Sequence, residues 1–318
     1  MKYYVGIDLG GTNIAVGVVN ENNEIVGRAK TKTRPQEHCE IIAEDMAKTA
    51  LVAIKNAEIS IDDVQWVGVG TPGAVNPKTG MVEYAGNLNF KKAPLASLLE
   101  EKLGKKTFVE NDANAASYGE YIAGAAKGVA NAVVVTLGTG VGGGIIIDHK
   151  IYSGFNYVGG ELGHIGIVFD GRPCTCGRRG CFEAYSSATG LINLTKEVME
   201  NNKDSKMWEL SPTLDRVSGR TAFDAMRAGD KAGKEVVDTY IEYLGYGLTS
   251  IINTFQPEIL CIGGGICNEG ETLLTPLRRY IEENAFGFNL LEKNTKLVTA
   301  ALGNDAGIIG AAMLGKLH

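Results

Sequence analysis

Three of the six cysteines stand within eight residues: Cys174, Cys176 and Cys181, spaced C-x-C-x4-C, with His164 ten positions earlier. Gly177 and Gly180 lie inside the cluster, where they permit a tight return of the chain. One imidazole and three thiolates make a closed tetrahedral set, the preference of structural zinc; catalytic zinc keeps a position open for water. A disulfide within C-x-C is strained, and reducing compartments disfavour disulfides altogether. The spacing therefore predicts a structural zinc site on His164, Cys174, Cys176 and Cys181. Arg178 and Arg179 are expected at the exposed tip of that loop. Cys39, Cys261 and Cys267 are scattered, and Cys39 and Cys261 fit apolar faces as buried thiols. His38, His149 and His318 have no partner in sequence and are assigned no role.

Polar groups flank the cysteines. "GGELGH" (159–164) sets Glu161 and His164 three apart beside two glycines, and Glu183 follows the last cysteine by two. Polyols are bound by such groups because each hydroxyl needs both an acceptor and a donor; the same three residues would also suit an exposed loop. "VENDANAA" (109–116) places Asn111 and Asp112 where a strand opens into a helix. Two roles are open to Asp112: a helix cap, or a general base that takes a proton from a sugar hydroxyl.

Three glycine turns complete the set. In "DLGGTN" (8–13), Asp8 ends an apolar strand. Gly10 and Gly11 let backbone N–H groups approach a phosphate, and Thr12 adds a hydroxyl donor before Asn13. Asp8 would then stand where a carboxylate can hold Mg²⁺ or its waters; otherwise this is an ordinary hairpin turn. "LGTGVGGG" (137–144) contains G-x-G-x-x-G but leads into the strand "IIID", whereas the dinucleotide fingerprint opens a helix. It is better read as a second phosphate-facing turn, with Gly138, Thr139 and Gly140 at its tip. No Walker lysine pattern is present. The third turn, "GGGI" (263–266), follows the strand "EILCIGG" and contains Gly264 and Gly265.

These residues need a scaffold. Tyr3–Ile7, 14–20 and 24–32 read as strands, the last two joined as a hairpin. Ile42, Met46, Ala50, Ile54 and Ala57 recur at helical spacing between 36 and 58. "VQWVGVGTPGAV" (64–75) reads as a strand ending in a Thr-Pro-Gly turn, "LASLLEEKLG" as a helix stopped by Gly104, "KTFVEND" as a strand and "ANAASYGEYIAGA" as a helix. Then the pattern restarts. "NAVVVTLGTGVGGGIIIDHKIYSG" repeats the strand, turn, strand, turn, strand order of "YYVGIDLGGTNIAVGVVNENNEIVG", with Thr136 set against Asp8, 128 positions apart. An internal duplication follows: two related α/β lobes, with two phosphate-type turns facing one cleft. Further helices are expected near 186–202, 221–229 and 232–255 and at the end, "DAGIIGAAMLGKL".

Composition excludes some classes. Net charge is −6 with no basic run, which argues against nucleic acid as a partner. The 42 glycines fall in short clusters, as tight turns near ligands would require. Residues 128–147 carry no charge over 20 positions, enough to span a bilayer. Six of them are glycine, so two buried strands with a glycine turn fit better, and no membrane association is expected. The N-terminus "MKYYVGIDLGG" has no signal-peptide core, so the protein is expected to be cytoplasmic.

Together, "DLGGTN", "VGVGTPGAV", "VENDANAA", "LGTGVGGG", "GGELGHIGI", "CTCGRRGCFEAYSS" and "IGGGI", in that order, resemble the ROK family (repressor, open reading frame, kinase), and within it the bacterial ATP-dependent glucokinases. The resemblance covers essentially the whole chain. It implies an α/β, actin-like ATPase (ribonuclease H-like) fold with two related lobes around a central cleft; the expected division is 1–115 plus 305–318 against 116–304. It implies Asp112 as the catalytic base, and Asn111, Glu161, His164 and Glu183 on the sugar, with Asn87 as a further pocket residue. Turns 10–13 and 138–140 would hold phosphates, and Gly264 and Gly265 would lie against the adenosine. ATP, Mg²⁺ and structural Zn²⁺ are the implied cofactors, and glucose phosphorylation at the 6-hydroxyl, a step of glycolysis, the implied reaction. N-acetylmannosamine, N-acetylglucosamine, mannose and fructose are alternative sugars, and a non-catalytic sugar sensor is the alternative of another class. Repressors of the family carry a winged helix-turn-helix before the kinase-like part; "DLGG" starting at residue 8 leaves no room for one. The family also implies a homodimer.

Overall fold

The computed structural model describes residues 1–318 throughout. In chain order, β1 (Tyr3–Leu9), β2 (Asn13–Asn20) and β3 (Ile25–Lys32) lead to α1 (Cys39–Asn56) and β4 (Val64–Thr71). Short strands β5 (Ala74–Asn76), β6 (Met81–Ala85) and β7 (Phe90–Ala93) follow, then α2 (Leu95–Leu103), β8 (Thr107–Asn111) and α3 (Asp112–Ala123). The restart comprises β9 (Ala132–Leu137), β10 (Val141–Ile147) and β11 (Lys150–Ile151). Helices α4 (Glu183–Ser186), α5 (Ala188–Asn201), α6 (Met207–Leu210), α7 (Thr221–Arg227) and α8 (Lys231–Phe255) come next. The chain closes with β12 (Ile259–Gly263), α9 (Glu271–Asn284), β13 (Lys296–Thr299) and α10 (Ala306–Met313).

The two large sheets have the same plan. One runs β3-β2-β1-β4-β8 and the other β11-β10-β9-β12-β13. A hairpin on one side of a central strand and parallel crossovers on the other recur in the same positions, so the repeat read in the sequence is a repeat of topology. The uncharged run 128–147 is β9 and β10, and no helix is long and apolar enough to cross a membrane.

The chain forms two compact units. One comprises Met1–Val134, Gly143–Gly160 and Ala300–His318; the other comprises Val135–Gly142 and Glu161–Thr299. In the first, the apolar face of α1 (Ile42, Met46, Ala50, Ile54) packs with Val5, Ile7, Leu9, Val67, Val69 and Val109 of the sheet. A second cluster joins Tyr4 and Val19 to Tyr118 of α3 and to Ile308 and Met313 of α10. There α10 sits backbone-close to the strands: a Cβ on Gly68 would stand 1.7 Å from the Ala311 carbonyl oxygen. Only glycine permits that approach. Glu120 of α3 is buried, and its carboxylate accepts the Ala125 (2.9 Å), Ala301 (3.0 Å) and Leu302 (2.8 Å) amides, fixing α3 to the chain that leads into α10.

The strand in 64–75 ends in its Thr-Pro-Gly turn, and a further short strand follows. The run 64–75 breaks at Pro72 and Gly73, and Ala74–Asn76 joins a separate three-stranded sheet, β5-β6-β7. Gly73 takes φ +102° there, which turns the chain out of the first sheet.

Candidate functional site

In the first unit β1, β4 and β8 run parallel and end level, Asp8 opposite Gly70 and Thr71 opposite Asn111. The carboxyl ends of such strands are where open α/β sheets collect ligands. Asp8 sits against the first turn of α10, where a Cβ on Gly307 would be 3.0 Å from its Oδ2. Burial first, and the Asp112 charge second, push the Asp8 carboxyl up to about 6. The two carboxylates therefore sense each other, the condition that a cation or a shared proton relieves.

Asn111, and not Asp112, caps α3. Its Oδ1 accepts the Ala113 (2.9 Å) and Asn114 (3.2 Å) amides, and its Nδ2 donates to the Gly73 carbonyl at 3.1 Å. Asp112 Oδ1 also accepts from the Ala113 amide, at 2.9 Å. Burial holds the Asp112 carboxyl above its ordinary value, against hydrogen bonds from Ala113 and Asn111 that favour the ionised form. Beneath the pair lies Glu110, buried, whose Oε1 accepts the Asn111 amide (2.9 Å) and the Asn114 side chain (3.1 Å). Glu110 escaped the sequence reading because a carboxylate inside a strand looks like any exposed residue of an alternating pattern.

The turn after β1 is closed by the Gly10 amide on the Asn13 carbonyl at 2.9 Å. Thr33 backs it: its hydroxyl donates to Gly10 O at 2.6 Å and its amide to Thr12 O at 2.9 Å. Asn87, exposed on a short helical turn, brings its amide nitrogen beside Gly11, 3.7 Å from the position of an added Cβ. The structure thus gathers Asp8, Gly10–Asn13, Asn87, Asn111 and Asp112 within one unit.

The second unit carries the other set. The Gly138 amide closes its turn on Gly140 O at 3.0 Å, and the start of α5 holds it through the Ala188 amide to Gly138 O (2.8 Å) and Thr189 Oγ1 to Thr139 O (2.8 Å). Gly264 is the third turn's link, lying on Leu137, where a Cβ would stand 2.1 Å from the carbonyl oxygen. Gly265 faces open space. Glu183, at the start of α4, reaches two places at once. Its Oε2 accepts the Val141 amide at 3.0 Å, and its Oε1 accepts Thr175 Oγ1 at 3.0 Å and Cys174 Sγ at 3.6 Å. Gly140 makes room for it, since a Cβ there would be 2.4 Å from Oε2. Glu161 is exposed, one turn before His164, whose amide donates to the Glu161 carbonyl at 3.0 Å.

His164, Cys174, Cys176 and Cys181 converge, with one ligand atom from each all lying within 4.8 Å of one another. Cys176 and Cys181 sulfurs are 3.7 Å apart, and His164 Nδ1 is 3.7 Å from Cys174 Sγ. Tetrahedral bonds of about 2.3 Å to a central ion would set two sulfurs about 3.8 Å apart, so this donor set fits zinc. With Nδ1 turned to the sulfurs, Nε2 is the nitrogen left for another partner. Arg178 and Arg179 are exposed on the loop, as expected; Arg178 Nη1 donates to His164 O at 3.1 Å, and Arg179 pairs with Asp170 at 2.7 Å.

The twin strand order and the glycine turns at strand ends define the actin-like ATPase fold. Within it, the ROK family model matches residues 4–317, and the chain belongs to the ROK family. It is 35% identical to the glucokinase of Halalkalibacterium halodurans, covering 99% of this chain and 95% of that one. Against the glucokinase of Thermotoga maritima the identity is 35%, over 98% of this chain and 96% of that one. A crystal structure of a ROK family glucokinase from Streptomyces griseus, in complex with glucose and AMPPNP, matches with a TM-score of 0.78 at 34% identity over 98% of both chains.

Proposed function

We propose that this protein is an ATP-dependent sugar kinase that transfers the γ-phosphoryl group of ATP to the 6-hydroxyl of glucose. The observation that carries it is Asp112. Asn111 does the capping, so the strand-end carboxylate beside it is kept for another task, and burial raises its basicity. The full-length glucokinase relatives give the substrate class.

Phosphoryl transfer depends on positioning and charge neutralisation. Asp112 orients the 6-hydroxyl and takes its proton as the oxygen bonds to the γ-phosphorus and ADP leaves. Asn111, Glu161, His164 and Glu183 bind the sugar hydroxyls, and Asn87 is a further sugar-binding residue. The turns at Gly10–Asn13 and Gly138–Gly140 hold phosphates with backbone amides, and Gly264 and Gly265 lie against the adenosine. Asp8 is the carboxylate suited to hold Mg²⁺, which when bound neutralises phosphate charge. His164, Cys174, Cys176 and Cys181 would hold zinc in a structural role, fixing the ring of His164 through Nδ1 so that Nε2 can meet a sugar hydroxyl.

A coupled ADP-release assay over glucose, mannose, fructose, N-acetylglucosamine and N-acetylmannosamine tests the function. Glucose should give the highest kcat/KM. A preference for another hexose moves the chain to that substrate, and no ADP release with any of them leaves a sugar sensor. A homodimer belongs to the same proposal, and sedimentation equilibrium reads it directly.

A further inference from the structure

Glu183 shares its carboxylate between two structures that the sequence keeps apart. Oε2 is on the Val141 amide, the first residue after the Gly138–Gly140 turn, and the missing side chain of Gly140 lets it in. Oε1 is on the cysteine loop, where Thr175, flanked by Cys174 and Cys176, gives its hydroxyl at 3.0 Å. The Cys174 sulfur also lies near, at 3.6 Å, but as a thiol it is a weak donor and as a zinc-bound thiolate it would be none. A carboxylate held at one oxygen only can rotate; held at both, it is fixed and fixes what it touches. We propose that Thr175 is a positioning residue: its hydroxyl locks Glu183 against the Val141 amide, so that the cysteine loop sets the geometry of the second glycine turn as well as that of the sugar ligands. The effect on nucleotide rests on the assignment of that turn to ATP phosphates made above; the lock itself does not.

Thr175→Val keeps the shape of the side chain and removes the donor, while Thr175→Ser keeps the donor. Thr175 is exposed, so neither change empties a core. Amide hydrogen exchange at Val141, metal content and melting temperature are measured on wild type and both variants. In Thr175→Val, Val141 should exchange about tenfold faster, the worth of one hydrogen bond, with metal content and melting temperature unchanged. Thr175→Ser should restore wild-type exchange. In the kinase assay Thr175→Val should raise KM for both ATP and glucose by about three- to tenfold, a fraction of that hydrogen bond's worth, with little change in kcat. Unchanged exchange at Val141, or faster exchange accompanied by metal loss, overturns the lock. Faster exchange with an unchanged KM for ATP overturns its effect on nucleotide. A wild type that phosphorylates no sugar overturns the kinase function instead, and Val141 exchange still decides the lock.

Discussion

Asn111 takes the capping position of α3, and Asp112 beside it is half-buried with a carboxyl held above its ordinary value by desolvation. Adjacent residues at one strand end have therefore divided the work, and each should show it. Asn111→Ala should cost about 1 kcal/mol, the usual worth of an N-cap, measured by denaturant unfolding. Asn111→Asp should keep most of that stability. Asp112→Ala should be neutral or stabilising in the ligand-free protein.

Catalysis should respond the other way. Asp112→Asn should lower kcat by about 10²–10⁴, the usual contribution of a general base, with a smaller change in the sugar's KM. Because the base must be ionised and burial raises its pKa, wild-type kcat/KM should fall on the acid side at a pH above the ordinary carboxylate range. A kcat within about tenfold of wild type in Asp112→Asn would remove the base assignment.

Asp8 should make stability depend on pH. Burial and the neighbouring Asp112 charge push its folded-state carboxyl up to about 6 from an ordinary value of 3.8. Between those values the folded chain holds more protons than the unfolded one, so this contribution to stability falls as pH rises through the window. In ligand-free, Mg²⁺-free protein Asp8→Asn should therefore stabilise at pH 7, by on the order of 2–3 kcal/mol. The gain should vanish near pH 4. A Tm difference that is the same at both pH values would contradict this.

Glu120 should prove a structural carboxylate. Glu120→Ala would take a buried carboxylate away from the Ala125, Ala301 and Leu302 amides, which are part-buried. The expected loss is at least about 2 kcal/mol, with Glu120→Gln recovering part of it. Thermal unfolding measures both.

Metal analysis should find about one zinc per chain, the content of a single closed four-ligand site. Chelation should reduce activity in parallel with zinc content, and added zinc should restore it. A metal-free, fully active protein would exclude the site.

Much of this was legible in the chain. The duplicated order of strands and glycine turns predicted the two sheets, because buried strands and glycine turns leave strong local patterns. The cysteine cluster converged as its spacing indicates, since four donors with two glycines among them have few other ways to fold. The roles of Asn111 and Asp112 were not separable by pattern, as both are good caps and only burial and geometry distinguish them. Glu183 looked like one more sugar ligand; its grip on Val141, 42 residues away, is a long-range hydrogen bond with no sequence signature. The Thr-Pro-Gly turn ends β4 where the sequence puts it, but β5, three residues long, is too short to leave a pattern of its own.

The like strand order of the two sheets has an evolutionary consequence. The strands are symmetric, but their connections are not. Residues 33–63 join β3 to β4 with a single long helix, whereas residues 152–258 join β11 to β12 and carry the cysteine loop and five helices. Chemical individuality has accumulated in one arm of a twofold plan. With the sugar ligands proposed for Glu161, His164 and Glu183, new substrate preferences in this lineage should arise by exchange or drift of the segment 152–187, leaving the strand framework unaltered.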